Sequence, residues 1–477
     1  MLYTKSPILN FIAICFLLFL IPVFSLAVNV KDFGAKGDGV ADDTRAINAA
    51  IRGANDGQVE FPRGTYRITS TIEIQLSENG TTGLSGRGGS AGIIMAGSGP
   101  AFRFIGSHDK GSALPSSVKQ ITWQKERMPL IDALEIVGGH PNADGIELRN
   151  TLMPVLRALL IRNVRNGIHL SSRNRNVLID DCHIYNNSGI GIFLDRVNIH
   201  QFIISDSHIS YCKKGGIGVT GSEIRNFQIT GNDIEYNCDP EGPVSADIWV
   251  DCSKGGSVRE GTISGNTIQA IPAKGGANIR FLGAPDNADK IGLWSITGNH
   301  ISNQELNIHL ENTRGISITG NTFIRGYDHH LLINNSRNLI VSGNVFDHNE
   351  DYFPAQPVPY GGILLSQGEN IILSDNIIDG SGNGTKDLGG AIVVKDSREI
   401  TISACQIKNP IINGIQLERT SDSSITNCII SESAGNKKML VGLLLNGACT
   451  GTLIRDNQIA AGKEGSINNL ATGAVIK

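Results

Sequence analysis

Eleven times between residues 179 and 459, Ile, Val or Leu stands three residues before a bend position and Ile or Phe stands two residues after it. The bends are Cys182, Ser207, Asn232, Asn266, Asn299, Asn321, Asn344, Asn376, Cys405, Cys428 and Asn457, spaced 22 to 34 residues apart. That is the period of a solenoid, in which each repeat is too small to bury its own apolar face and must stack on its neighbours. Each repeat reads as strand, one-residue bend, strand, variable loop, strand. Stacked coils bring equivalent strands into parallel sheets with buried apolar faces. Asn at seven of the bends suits a hydrogen-bonded ladder of identical side chains, and the Cys at three others fits a buried thiol acting as a small apolar group. With 57 Gly and only 5% aromatics the composition is turn-rich, as an all-β chain needs.

The strand after the variable loop carries the chemistry. Its inward apolar pair is readable in every coil, for example Ile217 and Val219, Ile248 and Val250, Ile279 and Phe281, Ile308 and Leu310. Strand side chains alternate between faces, so the residues before, between and after each pair are expected to face outward as three rows. The first row is Gly or Ala in most coils but Asp247, Asn278, Asn307 and His330 in four consecutive ones. The middle row there holds Trp249, Arg280 and His309, and the last row holds Asp251 and Glu311, with Asp195 two coils before Asp251. Asp, Asn and His are poor strand formers, and their stacking in register marks a polar band. The two longest repeats, 232 to 266 and 266 to 299, hold Asp247, Trp249, Asp251 and Arg280, and their insertions 237–245, 269–277 and 283–290 are placed to wall the face on both sides. A polar groove with an indole suits a sugar chain. Asp195, Trp249, Asn278, Asn307 and His330 are the expected substrate-binding residues, and Asp247, Asp251, Arg280, His309 and Glu311 the expected catalytic ones.

A formal charge of −4 gives no overall basic field for a nucleic-acid backbone, so nucleic acid is not an expected partner. Residues 1–27 read as a secretory signal, with Lys5 before the apolar run Ile8 to Phe24 and the small residues Ser25 to Ala27 at its end; a retained anchor is the competing reading. The mature chain, 28–477, is then one domain, secreted, periplasmic or at the cell surface, with no membrane contact after cleavage and an oligomeric state left open. The seven remaining cysteines are an odd count, a poor disulfide framework. None has zinc-site spacing. The Gly-rich run 83–99 lacks a following helix to present a phosphate cradle and reads as turns.

The run from Val30 to Ile51, where Asp42 or Asp43 can cap a helix with Ile47, Ala50 and Ile51 on one face, together with Phe61-Pro-Arg-Gly-Thr-Tyr-Arg-Ile68, resembles the N-terminal signature of the pectate-lyase-like superfamily. That superfamily includes polygalacturonases, rhamnogalacturonases and phage tailspikes. The resemblance implies an all-β, right-handed parallel β-helix whose open end is plugged by the N-terminal helix. It says little of the reaction, because the fold hosts several chemistries. The polygalacturonase pattern of an Asn-Thr-Asp strand, paired Asp, Gly-His-Gly and Arg-x-Lys is absent, so no catalytic residue is carried over.

Three readings follow. A glycoside hydrolase would use a carboxylate pair. Asp251 with Glu311, two coils apart, ranks first, and Asp195 with Asp251 stands in the same relation. A polysaccharide lyase, by the resemblance, would use Arg280 or His309 as base on a uronate, with calcium as a possible cofactor. The stretch Asp379 to Asp387 looks faintly like a calcium loop but lacks a closing Glu. The third reading is a non-catalytic glycan-binding or adhesin module; epimerisation is a further chemistry of the same kind of face. No metal-binding residues are assigned.

Overall fold

The computed structural model describes residues 27–54, 57–111, 114–348, 361–433, 435 and 437–477. The expected leader, apart from Ala27, lies outside these residues. Among the described residues, forty-four strands belong to one continuous sheet that winds as a right-handed parallel β-helix. Each coil donates its strands to three parallel stacks, and the sequence register holds throughout. Ile179 pairs with Ile204, then Ile229, then Ile263 before the bend. Ile184, Ile209, Ile234 and Ile268 pair in line after it. All of these side chains are fully buried.

The solenoid starts at residue 28, well before the first repeat of the sequence pattern at residue 179. Val28, Val59, Leu84, Ile131 and Leu156 continue the first stack down to residue 28. Those early coils have no Asn at their corners and are interrupted by the helix Thr44–Ala54, so their period is hidden. The helix buries Ile47, Ala50 and Ile51, as its spacing predicts. Asp42 Oδ1 accepts from Thr44 N at 3.1 Å, while Asp43 turns back to accept from Lys36 N and Gly37 N. The two acids therefore hold the helix start and the turn before it. The run 83–99 forms two short strands, Gly83–Ser85 and Ala91–Met95, and Asn383–Gly384 pairs antiparallel with Gly389–Gly390.

At the bends, Asn232, Asn266, Asn299, Asn321, Asn344 and Asn376 form an unbroken ladder. Each Oδ1 from Asn266 onward accepts from the backbone N and the Nδ2 of the Asn one coil earlier at 2.9–3.1 Å. The residue before each bend adopts the left-handed backbone, as at Gly265 with φ 64° and Gly298 with φ 65°. Gly, Asp or Asn fills that position in all but one repeat because these residues tolerate it best. Replacing Asn321 by Leu removes the acceptor of Asn299 and the donor to Asn344 and to Ile296 O. Buried groups left unpaired cost about 1–3 kcal/mol each, so this variant should lose about 3 kcal/mol or more, read as a fall in the denaturation midpoint at unchanged m.

All seven described cysteines are free and buried, and burial pushes the Cys182 thiol up to about 12. They are packing groups, three of them in the ladder slot.

Candidate active site

The third stack aligns its middle row as Glu147, His169, Phe193, Gly218, Trp249, Arg280, His309 and Leu332. The same pairings align the last row as Arg149, Ser171, Asp195, Thr220, Asp251, Leu282, Glu311 and Asn334. These two rows face outward; Asp195, Trp249, Asp251 and His309 are all half-buried, and Glu311 is 40% exposed in its side chain.

The expected first row does not face outward. Asp247, Asn278, Asn307 and His330 are each 0% exposed. The chain is still turning the corner at this position, and the glycines of the same row show how little space the outside of that corner leaves: a Cβ at Gly145 would stand 2.2 Å from Gly167 O. Side chains here turn inward into a second polar ladder. Asp247 Oδ1 accepts from Asn237 N and Nδ2, both at 3.1 Å, and Oδ2 accepts from Asn278 Nδ2 at 3.1 Å. Asn307 Nδ2 lies 3.0 Å from His330 Nδ1. As placed, these four residues hold the corner and do not reach a substrate. Burial above all, then the charge of Glu235, raises the Asp247 carboxyl to about 7 against the hydrogen bonds of Asn237 and Asn278.

Arg280 is only 5% exposed. Its guanidinium sits 5.2 Å from the Trp249 ring centroid, donates to Gly275 O at 2.5 Å and to His309 Nδ1 at 3.2 Å. Burial, and after it the Arg280 charge, lowers His309 to about 4, so the ring is neutral near pH 7. Its one lone pair is then the Nδ1 that Arg280 occupies, which leaves Nε2–H facing Glu311 Oε2 at 3.5 Å. Neither group is free to take a proton from a substrate. They fix the indole and Glu311 instead.

The open part of the face lies one coil earlier. Gly218, between Phe193 and Trp249, carries no side chain, and a cavity of about 180 Å³ fills the gap, lined by Phe193, Lys214, Gly218, Thr220, Trp249 and Asp251 among others. Asp195 and Asp251 stand in the adjoining row on either side of Thr220. Asp251 is held by Ser253, which donates N–H at 2.9 Å and Oγ–H at 2.6 Å. Asp195 lies 2.9 Å from Arg196 Nη2 and 3.9 Å from His169 Nε2. His169 stacks on Phe193 with ring centroids 5.4 Å apart, and its Nε2 is buried without a hydrogen-bond partner. Burial lowers its pKa although Glu147 and Asp195 pull the other way. Further upstream Glu147 is clamped by Arg103, at 2.7 Å, and by Arg149. Burial works to raise Glu147, and the two arginines together outweigh it and hold the carboxyl below its usual range.

Asp251 and Trp249 thus line one opening, and Asp195 stands beside it, paired with Thr220 in the adjoining row, whereas Glu311 lies beyond Leu282 and Arg280. The notch itself was missed from sequence. Its signal was a lone Gly between two aromatics in the middle row, the inverse of the polar stacking that drew attention to later coils. Among the described residues no three of His, Cys, Asp or Glu side chains converge as a metal site.

Residues 27–242 match the family model described as rhamnogalacturonase A/epimerase, pectate lyase-like, and residues 251–391 and 356–476 match that of the right-handed β-helix region. Mannuronan C5-epimerase AlgE1 of Azotobacter vinelandii is 59% identical over 48 residues, 9% of this chain and 3% of that protein. Plasmin and fibronectin-binding protein A of Streptococcus pneumoniae is 40% identical over 65 residues, 12% and 9% of the two. The matched segments therefore span less than a tenth of these curated relatives. The A-module of mannuronan C-5 epimerase AlgE6 from Azotobacter vinelandii is similar in structure, with 16% identity, a TM-score of 0.39, and coverage of 94% of this chain and 99% of that one. With the parallel solenoid and its capping helix in place and family matches running from residue 27 to 476, the chain belongs to the pectate-lyase-like superfamily of right-handed β-helix proteins.

Proposed function

We propose that this protein is a secreted or cell-surface enzyme that hydrolyses a polysaccharide, with Asp195 and Asp251 as the carboxylate pair. The observation that carries the reading is the Gly218 notch: an aromatic-walled cavity sized for part of a sugar, with an acid on either side in the adjoining row. Two coils separate the acids by about 10 Å at the backbone. Side chains leaning over Thr220 bring the carboxyl groups toward the roughly 6.5–9.5 Å that leaves room for a water, the spacing of an inverting mechanism. One acid protonates the leaving oxygen while the other takes a proton from the attacking water. The family description, with its rhamnogalacturonase and epimerase, supports a polysaccharide substrate.

Proton abstraction is the second reading, favoured by one observation. His169 has an unpartnered Nε2, a burial-lowered pKa and a place beside Phe193 at the edge of the notch, so it offers a base, and Lys214 at the lip offers a cation for a uronate carboxylate. This serves β-elimination or epimerisation.

Incubation with a panel of acidic and neutral polysaccharides separates the two. New reducing ends without ultraviolet-absorbing unsaturated ends are expected. Unsaturated uronyl ends, or a uronate composition changed by NMR without new ends, would transfer the assignment to His169, and binding with neither cleavage nor altered sugar would leave a glycan-binding module.

A further inference from the structure

A second face of the solenoid, reached around the corner that follows Asp195 and Asp251, carries three arginines and a histidine in register. Arg175, His200, Arg225 and Arg259 pair coil to coil on the outer side of one strand stack, while Ile199, Ile224 and Val258 beside them point into the core. At about 4.8 Å per coil the four positions span roughly 14 Å along the helix axis. Arg225 and Arg259 stand directly opposite one another, and like charges so placed in a sheet are destabilising. Glu223 reaches Arg225 only at 3.7 Å, and Glu260 and Asp109 contribute at longer range. Burial, and after it the Arg259 charge, presses the Arg225 pKa downward.

The site is also built. Arg173 is fixed by hydrogen bonds to His108 Nε2 at 3.2 Å, Asn198 Oδ1 at 3.0 Å and Gly111 O at 2.7 Å. Beside it lies a cavity of about 240 Å³ lined by Arg173, Asn198, His200, Glu223 and Arg225 among others. Two donors-in-waiting sit in the same row: Arg259 Nε and His200 Nδ1 are buried without a hydrogen-bond partner.

We propose that this face binds a linear polyanionic glycan, whose carboxylate or sulfate groups run along the axis and pair with successive coils. A glycan fits better than a nucleic acid because the chain as a whole is acidic, at −4, and the cationic face is confined to these coils. The site is independent of the Gly218 notch.

Affinity electrophoresis of the full chain through gels containing dextran sulfate, polygalacturonate, neutral dextran or duplex DNA tests this, at about 0.1 M salt so that long-range charge effects are screened. Dextran sulfate, polygalacturonate or both should retard the protein, and which of them does so identifies the anionic group. Neutral dextran should have no effect. The double variant His200→Gln/Arg259→Gln should retain the wild-type melting temperature and bind at least 5-fold more weakly, whereas Trp249→Ala should bind as wild type. Unchanged retardation of the double variant overturns the proposal. So does loss of binding in Trp249→Ala, equal retardation by duplex DNA, or complete competition by inorganic phosphate at the same total charge.

Discussion

Asp195→Asn and Asp251→Asn should each lower turnover by roughly 100-fold or more on whichever polysaccharide the panel identifies, the usual scale for losing a general acid or base, while Glu311→Gln stays within a factor of about 3 of wild type. The contrast follows from what lies between each pair. Between Asp195 and Asp251 the middle row holds Gly218 and the last row Thr220, and the surface opens into a cavity. Between Asp251 and Glu311 the same rows hold Arg280, fixed over Trp249, and Leu282. The first gap offers a sugar ring a seat, and in the second the two side chains stand in its place. Filling that gap gives an independent check, because a Cβ at Gly218 would already stand 3.1 Å from Ile190 and 3.7 Å from Phe193. Gly218→Leu should therefore raise KM or abolish turnover while leaving the melting temperature close to wild type, the strand backbone there having negative φ. Newly formed ends should show inverted anomeric configuration when followed by NMR at early times. Loss of activity in Glu311→Gln with full activity in Asp195→Asn would move the active site two coils along and refute this assignment.

The architecture was legible because the solenoid writes itself into the sequence. An apolar residue three before and two after a bend is a direct image of two buried strand stacks, and the register of residues 179 to 459 was readable pair by pair. What stayed hidden was local. The first coils use Val28, Val59 and Leu84 for the same stack but lack the Asn corner and carry a helix between strands. For the site, strict alternation placed Trp249 and Asp251 correctly on the outer face and failed at Asp247, where the chain has not yet left the corner. The signal that alternation stops there was present: Gly145, Gly167, Gly191 and Gly216 occupy the same row because a Cβ would meet the next coil's backbone within about 3 Å. A row of glycines interrupted by Asp, Asn and His denotes side chains forced inward to pair with each other. Arg280 and His309 looked like candidate bases for a related reason. Ionisable residues in register attract attention as chemistry, but adjacent coils are close enough for them to satisfy one another, and the opening is marked by a missing side chain.

Asp247→Asn should stabilise the protein above pH 7 and leave it nearly unchanged below pH 4. The folded carboxyl is raised from an ordinary 3.8 to about 7 by burial, with a smaller push from Glu235. The unfolded chain therefore releases its proton near pH 4 while the folded chain keeps it to about pH 7. Stability from this group is complete below pH 4, falls as pH rises across the window from 4 to 7, and is lost above it. The loss is bounded by the size of the shift, on the order of 4 kcal/mol. An amide cannot ionise and avoids it. Asparagine keeps part of the network: its Oδ1 accepts from Asn237 N and Nδ2 as the carboxyl does, while its Nδ2 faces Asn278 Nδ2, which gives up that one bond and keeps its bond to Ser302 O. The measurement is the melting temperature of wild type and variant from pH 4 to 9, taken as a difference at each pH so that every other titrating group cancels. The variant should gain steadily up to pH 7 and hold its lead beyond. A variant less stable than wild type at pH 8 would mean that the ladder requires the carboxylate itself, and a flat difference would mean that Asp247 keeps an ordinary pKa through a relaxation of the Asn237 corner.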